Sequence, residues 1–547
     1  MGSIGRARYA SIGVCVLLAA ACTSGSPAPG AGTATGTTST PADSTAPPSP
    51  ATSSHAATIP ATPAATFPLA VVTGLTNLKA NVSVAELRDL AGKGTLVVPC
   101  GVKLTAPDLL APPASSACVP ADKIAAALVA GQQRIALLPP GLVEPATKVL
   151  SIRGKGPFGM FGPDLFGDEQ ARAMDYPIKA TTAPGGTSLD ASWTAYDPSQ
   201  VWTMTNLGSL CSDRGAATQV VSRGRGWDWV FEGGTARYAA PAVVDPPDHE
   251  PYRSVQPVDT GNAGATPQVI KRSDVAIADH ECPVVPDSTW KPQLGTTAVF
   301  SVPEAVLPRW RDTLGLDVVY LAANHMSDKG VAGIESTLRL IDKYKIPRTG
   351  LGRDLDEAIE PAYVQVAGLK VGFVAVNDVA GVARADADTA GVPWITERNI
   401  REGVRRAKAA GADLVICNPQ WWGGAEYHDG LWPTQKRQLG WFDKAGCDHV
   451  IGSGTHVAGP LLVRGPAADP NVVLVSPGNY LFGQGWWQET QEGVILDLSF
   501  RGKTLVNVRL RPTVMIRQAR PALLDPQGDG RYVLQRMWKY STTPSAR

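Results

Sequence analysis

The sequence carries little charge, and neither sign is in excess. Charged residues make up 18% of the 547 residues, below the roughly 25% that is usual for soluble proteins. The 50 lysines and arginines nearly balance the 49 aspartates and glutamates. Because nucleic-acid binding depends on a concentrated basic surface, this balance argues against a nucleic-acid partner.

Long apolar runs are also missing, since no stretch after the N-terminus reaches the ~20 apolar residues that span a bilayer. At the N-terminus itself, two arginines precede an apolar run from Ile12 to Ala21, which ends at Cys22. This pattern is typical of a secretory signal. Leu18–Cys22 also resembles a bacterial lipobox. We therefore predict that residues 1–22 are a lipoprotein-type signal peptide and that a lipid on Cys22 anchors the chain to the extracytoplasmic face of the cell membrane; the alternative is a plain secreted protein.

The segment after the cysteine has almost no charged or large apolar side chains. Residues 23–66 are mostly alanine, serine, threonine, proline and glycine, and Asp43 is the only charged side chain apart from His55. Such a composition cannot bury enough apolar surface to fold. We predict a disordered tether with a root-mean-square reach of about 35–40 Å.

Cysteines are few, and their spacing is not that of a zinc finger. Beyond Cys15 and Cys22, six remain, an even number that suggests disulfides in an exported protein. Six cysteines allow fifteen pairings, and the sequence does not select one. Pairing them in chain order would keep each bridge within one predicted region; the pairs would be Cys100–Cys118, Cys211–Cys282 and Cys417–Cys447.

Residues 67–193 alternate between strand and helix patterns, which predicts a small α/β accessory domain. The apolar run Leu69–Val72 reads as a buried strand, and Ser83 with Glu86 forms a capping box that opens a helix through Leu90. Further elements follow, namely a strand at Thr95–Pro99, a helix at Lys123–Ala130 capped by Asp122, and a strand at Arg134–Leu138. The first strand and helix resemble, faintly, those of type II solute-binding proteins.

Residues 201–512 carry the chemistry, because four predicted buried strands each run into a polar loop. In α/β proteins such loops at strand ends build sites. The strands are Val318–Ala322, Ala412–Cys417, His449–Gly452 and Val472–Val475, and the loops begin at Ala323, Gln420, Ser453 and Ser476.

Five motifs in order resemble those of the CapA family of capsule or poly-gamma-glutamate synthesis proteins, which look like calcineurin-type metallophosphoesterases. The motifs are Asp279-His280-Glu281-Cys282-Pro283, Ala322-Ala323-Asn324-His325 with Asp328 and Gly330, Gln420-Trp421 through Glu426-Tyr427, Gly452 through Val457, and Ser476 through Phe482. The resemblance implies a metallophosphoesterase-like four-layer α/β sandwich over residues 201–512, followed by a C-terminal extension over 513–547.

The resemblance also implies roles for individual residues. Carboxylate, amide and imidazole groups would hold a metal, and a neighbouring histidine would stabilise charge on a reacting oxygen. The implied catalytic residues are Asn324, His325 and Asp328; the implied metal ligands are Glu281, Asn324, Gln420 and His456; and the implied substrate-binding residues are Arg214, Trp421, Glu426 and Asn479.

Three positions depart from the family pattern. Leu207 stands where a carboxylate is expected, and Gln420 and Gly454 stand where histidines are expected. Asp213 is a candidate substitute, and His280 is an additional imidazole. We therefore predict a partly degenerate site with no tightly held cofactor, the alternatives being a single divalent metal (Mn, Zn or Fe) or a dinuclear centre rebuilt by other residues.

Two groups of side chains near this site permit either of two interpretations. Four tryptophans could form a platform for a polymer or simply pack around the mouth of the site. Three arginines could face an anionic polymer or form a solvated surface. The tryptophans are Trp421, Trp422, Trp486 and Trp487, and the arginines are Arg214, Arg223 and Arg225.

Three functions are compatible with these observations. The first is a binding or assembly factor for an anionic or peptide-like surface polymer, acting in its synthesis, export or anchoring. The second is a metal-dependent hydrolase or transferase at the cell surface, and the third is a solute-binding lipoprotein led by residues 67–193. A membrane-bound polymer synthase is the expected protein partner, on the family resemblance alone.

Overall fold

A computed structural model describes the chain from Thr66 to Thr542 with several internal gaps. The described ranges are 66–104, 118–131, 134–154, 156–167, 176–182, 189–240, 242, 254–295, 298–422, 424 and 426–542. The predicted signal peptide and nearly all of the predicted tether lie outside these ranges. Residues from Ala61 onward form one compact unit. In the described part of that unit, no helix is long and apolar enough to cross a membrane.

The described residues between 66 and 200 form short strands and three helices. The strands are β1 (Thr66–Pro68), β2 (Ala70–Gly74), β3 (Asn81–Val82), β4 (Val98–Pro99), β5 (Val102–Leu104), β6 (Cys118–Val119), β7 (Ala136–Leu138), β8 (Thr147–Val149), β9 (Ser151–Ile152) and β10 (Lys179–Thr182); the helices are α1 (Val84–Gly92), α2 (Ile124–Ala130) and α3 (Ala191–Thr194). Strands β7-β2-β8 and β1-β10-β5 form two antiparallel sheets.

Both helices predicted in this region are observed, but of their two predicted caps one is confirmed and one is wrong. The Ser83 hydroxyl accepts a hydrogen bond from the Glu86 N–H at 3.1 Å and caps α1, as its sequence predicts. Asp122 instead lies in a 3-10 turn over Ala121–Lys123, and no side chain caps α2. The Asp122 carboxylate pairs with Lys123 at 3.4 Å. The 3-10 turn, and not a capping side chain, therefore precedes α2.

The remaining elements build two large sheets and the helices that cover them. The strands are β11 (Val201–Cys211), β12 (Thr235–Tyr238), β13 (Pro257–Gly261), β14 (Val275–His280), β15 (Val284–Val285), β16 (Val302–Pro303), β17 (Val318–Tyr320), β18 (Arg348–Thr349), β19 (Ala362–Val366), β20 (Leu369–Asn377), β21 (Leu414–Gln420), β22 (His449–Ile451), β23 (Leu461–Arg464), β24 (Asn471–Leu474), β25 (Asn479–Phe482), β26 (Glu492–Arg501), β27 (Thr504–Ile516) and β28 (Arg520–Leu524). The helices are α4 (Gly215–Ala217), α5 (Trp227–Phe231), α6 (Ala265–Ile270), α7 (Gly330–Lys343), α8 (Leu355–Ala358), α9 (Glu397–Ala409), α10 (Pro433–Ala445), α11 (Gln488–Gln491) and α12 (Gly530–Tyr540).

The strand order places several parallel strand ends along one edge. One sheet has the order β13-β12-β28-β27-β26-β11-β14-β17-β18, with β25 also paired to β11, and the other has the order β19-β20-β21-β22-β24-β23. Strands β11, β14 and β17 run parallel, as do β20, β21, β22 and β24. The carboxyl ends of these strands therefore gather the polar loops that follow them.

Apolar side chains fill the space between the sheets and under the helices. Ile277 of the first sheet and Phe373 of the second belong to one buried cluster, so the two sheets pack face to face. Leu338 of α7 packs on the other face of the first sheet, and Phe442 of α10 packs on the other face of the second. The protein is therefore a mixed α/β structure with three apolar layers.

The N-terminal strands pack against the β26–β27 hairpin. The Asn507 side-chain oxygen accepts a hydrogen bond from the Val149 N–H at 3.0 Å. Arg509 donates to the Val149 carbonyl at 3.0 Å and forms a buried ion pair with Asp164. Val506 lies in the same apolar cluster as Leu69, so polar and apolar contacts join residues 66–200 to the larger sheet.

Three disulfides join the six cysteines outside the N-terminal segment. The pairs are Cys100–Cys118, Cys211–Cys282 and Cys417–Cys447. This is the chain-order pairing, one of the fifteen that the sequence left open. The second bridge ties the end of β11 to the residue pair that follows β14, next to the polar loops.

We expect His449 to make the fold sensitive to acid. Burial lowers the pKa of His449 from its ordinary 6.5 to about 4, and its Nδ1 accepts the Val472 N–H at 3.2 Å, which requires the neutral ring. Below pH 6.5 the unfolded chain binds a proton that the folded chain does not. Stability is therefore complete above that pH and falls by about 1.4 kcal/mol per unit as the pH drops toward 4.

The variant His449→Asn tests this, because its amide oxygen can accept the same N–H but cannot titrate. The free energy of unfolding is measured with urea at pH 7, 5.5 and 4.5. Between pH 7 and pH 4.5 it should fall by up to about 3 kcal/mol more in the wild type than in the variant. Parallel pH profiles for the two proteins would contradict the assignment.

Candidate functional site

The polar side chains that the sequence singles out do meet at the carboxyl ends of the parallel strands. Ser209 lies near the end of β11, Asp279 near the end of β14, and Glu281 just after it. Gln420 ends β21 and bridges to Ser453, which follows β22. Contacts between the side chains link the two sheets at this edge and define the candidate site.

Two buried acids form the floor of the site. Asp279 and Glu281 are 5% and 0% exposed. Burial, followed by the proximity of Glu281, raises the pKa of Asp279 well above its ordinary value. The Ser209 hydroxyl donates to Asp279 at 3.2 Å. Among the described residues, neither carboxylate oxygen of Glu281 has a hydrogen-bond partner.

Asn324 and Gln420, two of the predicted metal ligands, are bonded to each other. The Asn324 N–H donates to the Gln420 side-chain oxygen at 2.7 Å, and the Gln420 amide donates to the Asn324 side-chain oxygen at 3.1 Å. Both amide oxygens therefore already accept a hydrogen bond. This reciprocal pair joins the first sheet to the second across the site.

His456 is held in one tautomer by Asn479. Its Nδ1 lies 3.0 Å from the Asn479 side-chain oxygen. The Asn479 amide nitrogen donates to Gln484 at 3.0 Å and to the Thr490 carbonyl at 2.9 Å, so the oxygen is the acceptor and Nδ1 carries the proton. With Nδ1 engaged by Asn479, Nε2 is the remaining ring nitrogen of His456. Asn479, predicted to bind substrate, is 1% exposed and orients this histidine instead.

His325 and Asp328 form a second ordered pair. The His325 Nδ1 lies 3.0 Å from the Asp328 carboxylate, which also accepts the Phe300 N–H at 2.6 Å. The Phe300 ring packs edge-on against His325 at 4.6 Å. The structure therefore brings together the three residues predicted to be catalytic, with Asn324 preceding His325 and Asp328 fixing the ring.

Arg214 and a group of aromatic rings line the mouth of the site. The Arg214 guanidinium lies 4.5 Å from the Phe300 centroid and 5.5 Å from the Trp486 centroid. Tyr427 stacks on His456 at 5.9 Å and meets Trp487 at 4.9 Å. Burial, with help from the neighbouring Glu426, raises the pKa of the Tyr427 hydroxyl. Arg214 and Glu426 therefore both lie at this mouth, where their sequence positions had suggested substrate contact.

Trp421 does not line the mouth. Its side chain is 0% exposed, donates to the Val475 carbonyl at 2.9 Å and packs edge-on against Phe442 at 5.8 Å. The prediction that it contacts substrate does not fit this position. The segment around Trp421 follows a strand and contains two glycines, a pattern typical of an exposed loop. The Trp421 ring is nevertheless buried in the core.

His280 and Asp213, the candidate additional ligands, make other contacts in the described part of the chain. His280 lies on the opposite face of β14 from Asp279, with its ring 4.3 Å from Trp310, and burial lowers its pKa to about 3. The carboxylate of Asp213 accepts three backbone N–H groups, at 2.8 Å from Gln293 and 3.0 Å from both Ser301 and Arg214. Asp213 therefore holds the loop at 293–301 in place.

Ser209 is a residue of the candidate site that the sequence analysis did not single out. The motif comparison placed Leu207 at the carboxylate position, but Leu207 lies in the apolar core. A register shift between Leu207 and Leu210 changes which side chains of β11 face the loops, and it directs Ser209 to Asp279. The Gly208-Ser209 pair at the end of the strand was the available signal.

The residues present do not fit a two-metal centre. In the ranges that the structure describes, no group of three or more histidine, cysteine, aspartate or glutamate side chains is arranged to hold a metal ion. Asp279, Glu281 and His456 carry potential donor atoms, whereas Asn324 and Gln420 bond each other. A centre with two ions about 3.5–4 Å apart needs more anionic and imidazole ligands than these three provide.

Part of the chain matches known capsule proteins. Residues 246–484 match the family model described as bacterial capsule synthesis protein PGA_cap. The capsule biosynthesis protein CapA of Bacillus anthracis is 26% identical over 232 residues, covering 41% of this chain and 54% of that protein. The PGA biosynthesis protein CapA of Bacillus subtilis (strain 168) is 26% identical over 260 residues, covering 46% and 64%. The chain thus spans between about half and two thirds of the length of the curated relatives it matches.

Similarity to solved structures is weak. The NAD nucleotidase NadN of Haemophilus influenzae matches with a TM-score of 0.32 and 12% identity over 63% of this chain and 57% of that one. The 5'-nucleotidase precursor from Thermus thermophilus matches with a TM-score of 0.33 and 11% identity over 62% and 58%. These scores are too low to establish a shared fold.

Proposed function

We propose that the chain is a divergent member of the CapA family and that it binds a capsule or poly-gamma-glutamate type surface polymer during its synthesis, export or anchoring. The observation that carries this proposal is the reciprocal bonding of Asn324 and Gln420 at 2.7 and 3.1 Å. Two amide oxygens expected at a metal each accept a hydrogen bond from the other residue, the Gln420 oxygen from the Asn324 backbone N–H and the Asn324 oxygen from the Gln420 amide. This bonding supports a degenerate metal centre. The proposed activity is polymer binding without turnover.

Sequence features outside the site support a role at the cell surface. The lipobox-like Leu18–Cys22 and the uncharged segment after it are suited to a lipid anchor and a tether. Three disulfides are typical of an oxidising compartment. We therefore propose that residues 67–193 and 201–512 are an accessory domain and a four-layer metallophosphoesterase-like domain held outside the membrane, where they meet the polymer and its membrane-bound synthase.

A second function, metal-dependent hydrolysis or transfer, is favoured by one observation. Both oxygens of Glu281 are buried without a partner among the described residues, and unpaired buried acceptors are costly unless something binds them. His456 Nε2 would be the second donor to a single cation. In this alternative the His325–Asp328 pair would hold a proton beside the reacting oxygen.

Polymer binding with and without a chelator separates the two functions. The full chain is titrated with poly-gamma-glutamate in calorimetry, before and after treatment with EDTA, and polymer length is followed by size-exclusion chromatography. We expect an unchanged Kd and an unchanged polymer length. Binding that is lost with EDTA, or polymer that shortens only when manganese, zinc or iron is added, would favour the hydrolase.

The variant pair Glu281→Gln and His456→Ala is the matched control. The proposed function predicts that these changes leave polymer affinity within about twofold of the wild type, because neither side chain needs to hold a cation. An EDTA effect that disappears in both variants would instead identify a metal bound at these two residues.

A further inference from the structure

Two cavities adjoin the candidate site and meet each other at one turn. The first encloses about 470 Å³ and is lined by Arg214, Gln219 and Trp486, among others. The second encloses about 690 Å³ and is lined by Arg225 and Trp229, among others. Both cavities include Gly485, Arg517 and Gln518 in their walls. Each volume is in the ~300–1,000 Å³ range of ligand sites, so together they form a groove longer than one small ligand.

The walls of this groove are basic. Arg214, Arg225 and Arg517 line it, and among the described lining residues the one acid is Asp259. Asp259 forms an ion pair with Arg520, so its charge is already compensated. Within the described parts of the chain, the Arg517 guanidinium has no hydrogen bond or ion pair. A concave surface with this charge attracts carboxylate groups.

The backbone at the junction is held in an unusual conformation. Arg214, Arg517 and Gln518 have φ values of 46°, 54° and 54°, in the left-handed region that side chains other than glycine seldom occupy. The 517–518 turn approaches Gly215 and Gly485 so closely that a Cβ on either would collide with Gln518. Such strain tends to persist where the surrounding structure fixes a functional side chain, here Arg517 between the two cavities.

The indole rings of the groove tryptophans already make cation–π contacts with arginines. The Arg225 guanidinium lies 4.4 Å from the Trp229 centroid, and Arg520 lies 5.0 Å from the same ring. Arg214 lies 5.5 Å from the Trp486 centroid. These cation–π contacts orient the guanidinium groups and cover ring faces on which a sugar would stack. The arrangement therefore favours a flexible chain of carboxylates over a stacked polysaccharide.

From these observations we propose that the two cavities form one arginine groove that holds a polycarboxylate polypeptide of the poly-glutamate type. Arg214 binds the segment nearest the candidate site, Arg517 binds the segment at the junction, and Arg225 binds the segment beyond it. All three arginines and both tryptophans lie outside the segment matched to the family model, 246–484. The inference rests on the proposed function, since it gives the polymer its path across the surface.

The test compares chain lengths and single arginines. Full-length protein and its Arg225→Gln and Arg517→Gln variants are titrated with long poly-gamma-glutamate and with an oligomer too short to occupy both cavities. Arg223→Gln is the control, because Arg223 is exposed on the same loop but lines neither cavity. Thermal unfolding of every variant verifies that the fold is retained.

We expect each groove variant to weaken binding of the long chain by about tenfold and to make its salt dependence shallower, while Arg223→Gln leaves it unchanged. Arg225→Gln should leave the short oligomer unaffected if that oligomer is held at Arg214 and Arg517. Wild-type binding with unaffected groove variants would overturn the groove and leave the proposed function standing. No polymer binding by the wild type would overturn both, and tighter binding of a polyuronate at the same arginines would overturn the polypeptide assignment.

Discussion

Replacing Arg536 by methionine lowers the free energy of unfolding by about 3–5 kcal/mol. Arg536 of α12 and Glu492 at the start of β26 are 1% and 0% exposed at their side chains and lie 2.7 Å apart. Glu492 also accepts the Tyr238 hydroxyl at 2.6 Å. The substitution leaves a buried carboxylate without its cation, which is a far larger penalty than the loss of an ion pair in water.

A double variant distinguishes this cause from a general packing defect. Arg536→Met combined with Glu492→Gln removes the uncompensated charge and should recover most of the lost stability. The exposed pair Arg405–Glu402, at 2.7 Å, provides the comparison, because Arg405→Met should change stability by less than about 1 kcal/mol. Urea unfolding at pH 7 measures all of these. A loss below about 1 kcal/mol in Arg536→Met would show that the buried charge is compensated in another way.

Removing the Cys211–Cys282 disulfide has the second large effect, about 4 kcal/mol from the loop of 71 residues that it closes. The bridge joins β11, which carries Ser209, to the segment that carries Glu281. We expect Cys211→Ala/Cys282→Ala to lose both stability and polymer affinity. Without the bridge, the segment that carries Glu281 is no longer cross-linked to the end of β11, which Arg214 follows.

The Cys100–Cys118 bridge is the matched control, since it closes a loop of 18 residues next to the β4–β6 pair, and neither of those strands carries a residue of the candidate site. Its removal should cost about 3 kcal/mol and leave polymer affinity intact. Chemical denaturation and calorimetric titration of both double variants check this. Equal polymer affinity in the two would mean that the bridge at 211 and 282 supports only the core.

Local patterns in the sequence predicted individual elements well where neighbouring residues determine them. The helix after Ser83 begins as its capping box indicates, because the cap is made by residues three positions apart. The strand predicted at Val318–Ala322 is observed to begin at Val318. The sequence motifs also predicted that Asn324, His325 and Asp328 lie in one site, and the structure places them together.

Features that depend on distant contacts were not predictable in the same way. The side chain of Ser209, and not that of Leu207, points toward Asp279 because the register of β11 against β14 shifts between Leu207 and Leu210. The pairing of Asn324 with Gln420 joins residues that are 96 positions apart. The burial of Trp421 depends on Phe442 of a later helix. In each case a partner that is distant in sequence determines the orientation, bonding or burial of the side chain, and the local sequence does not indicate it.

Metal content decides whether the protein lacks a metal centre, as the proposed polymer-binding function requires. The full chain is loaded with manganese, zinc and iron, dialysed and measured by elemental analysis beside Glu281→Gln/His456→Ala. The account predicts no metal retained above the level of that double variant. One or two equivalents that are retained by the wild type and lost in the double variant would contradict it and establish a rebuilt metal site.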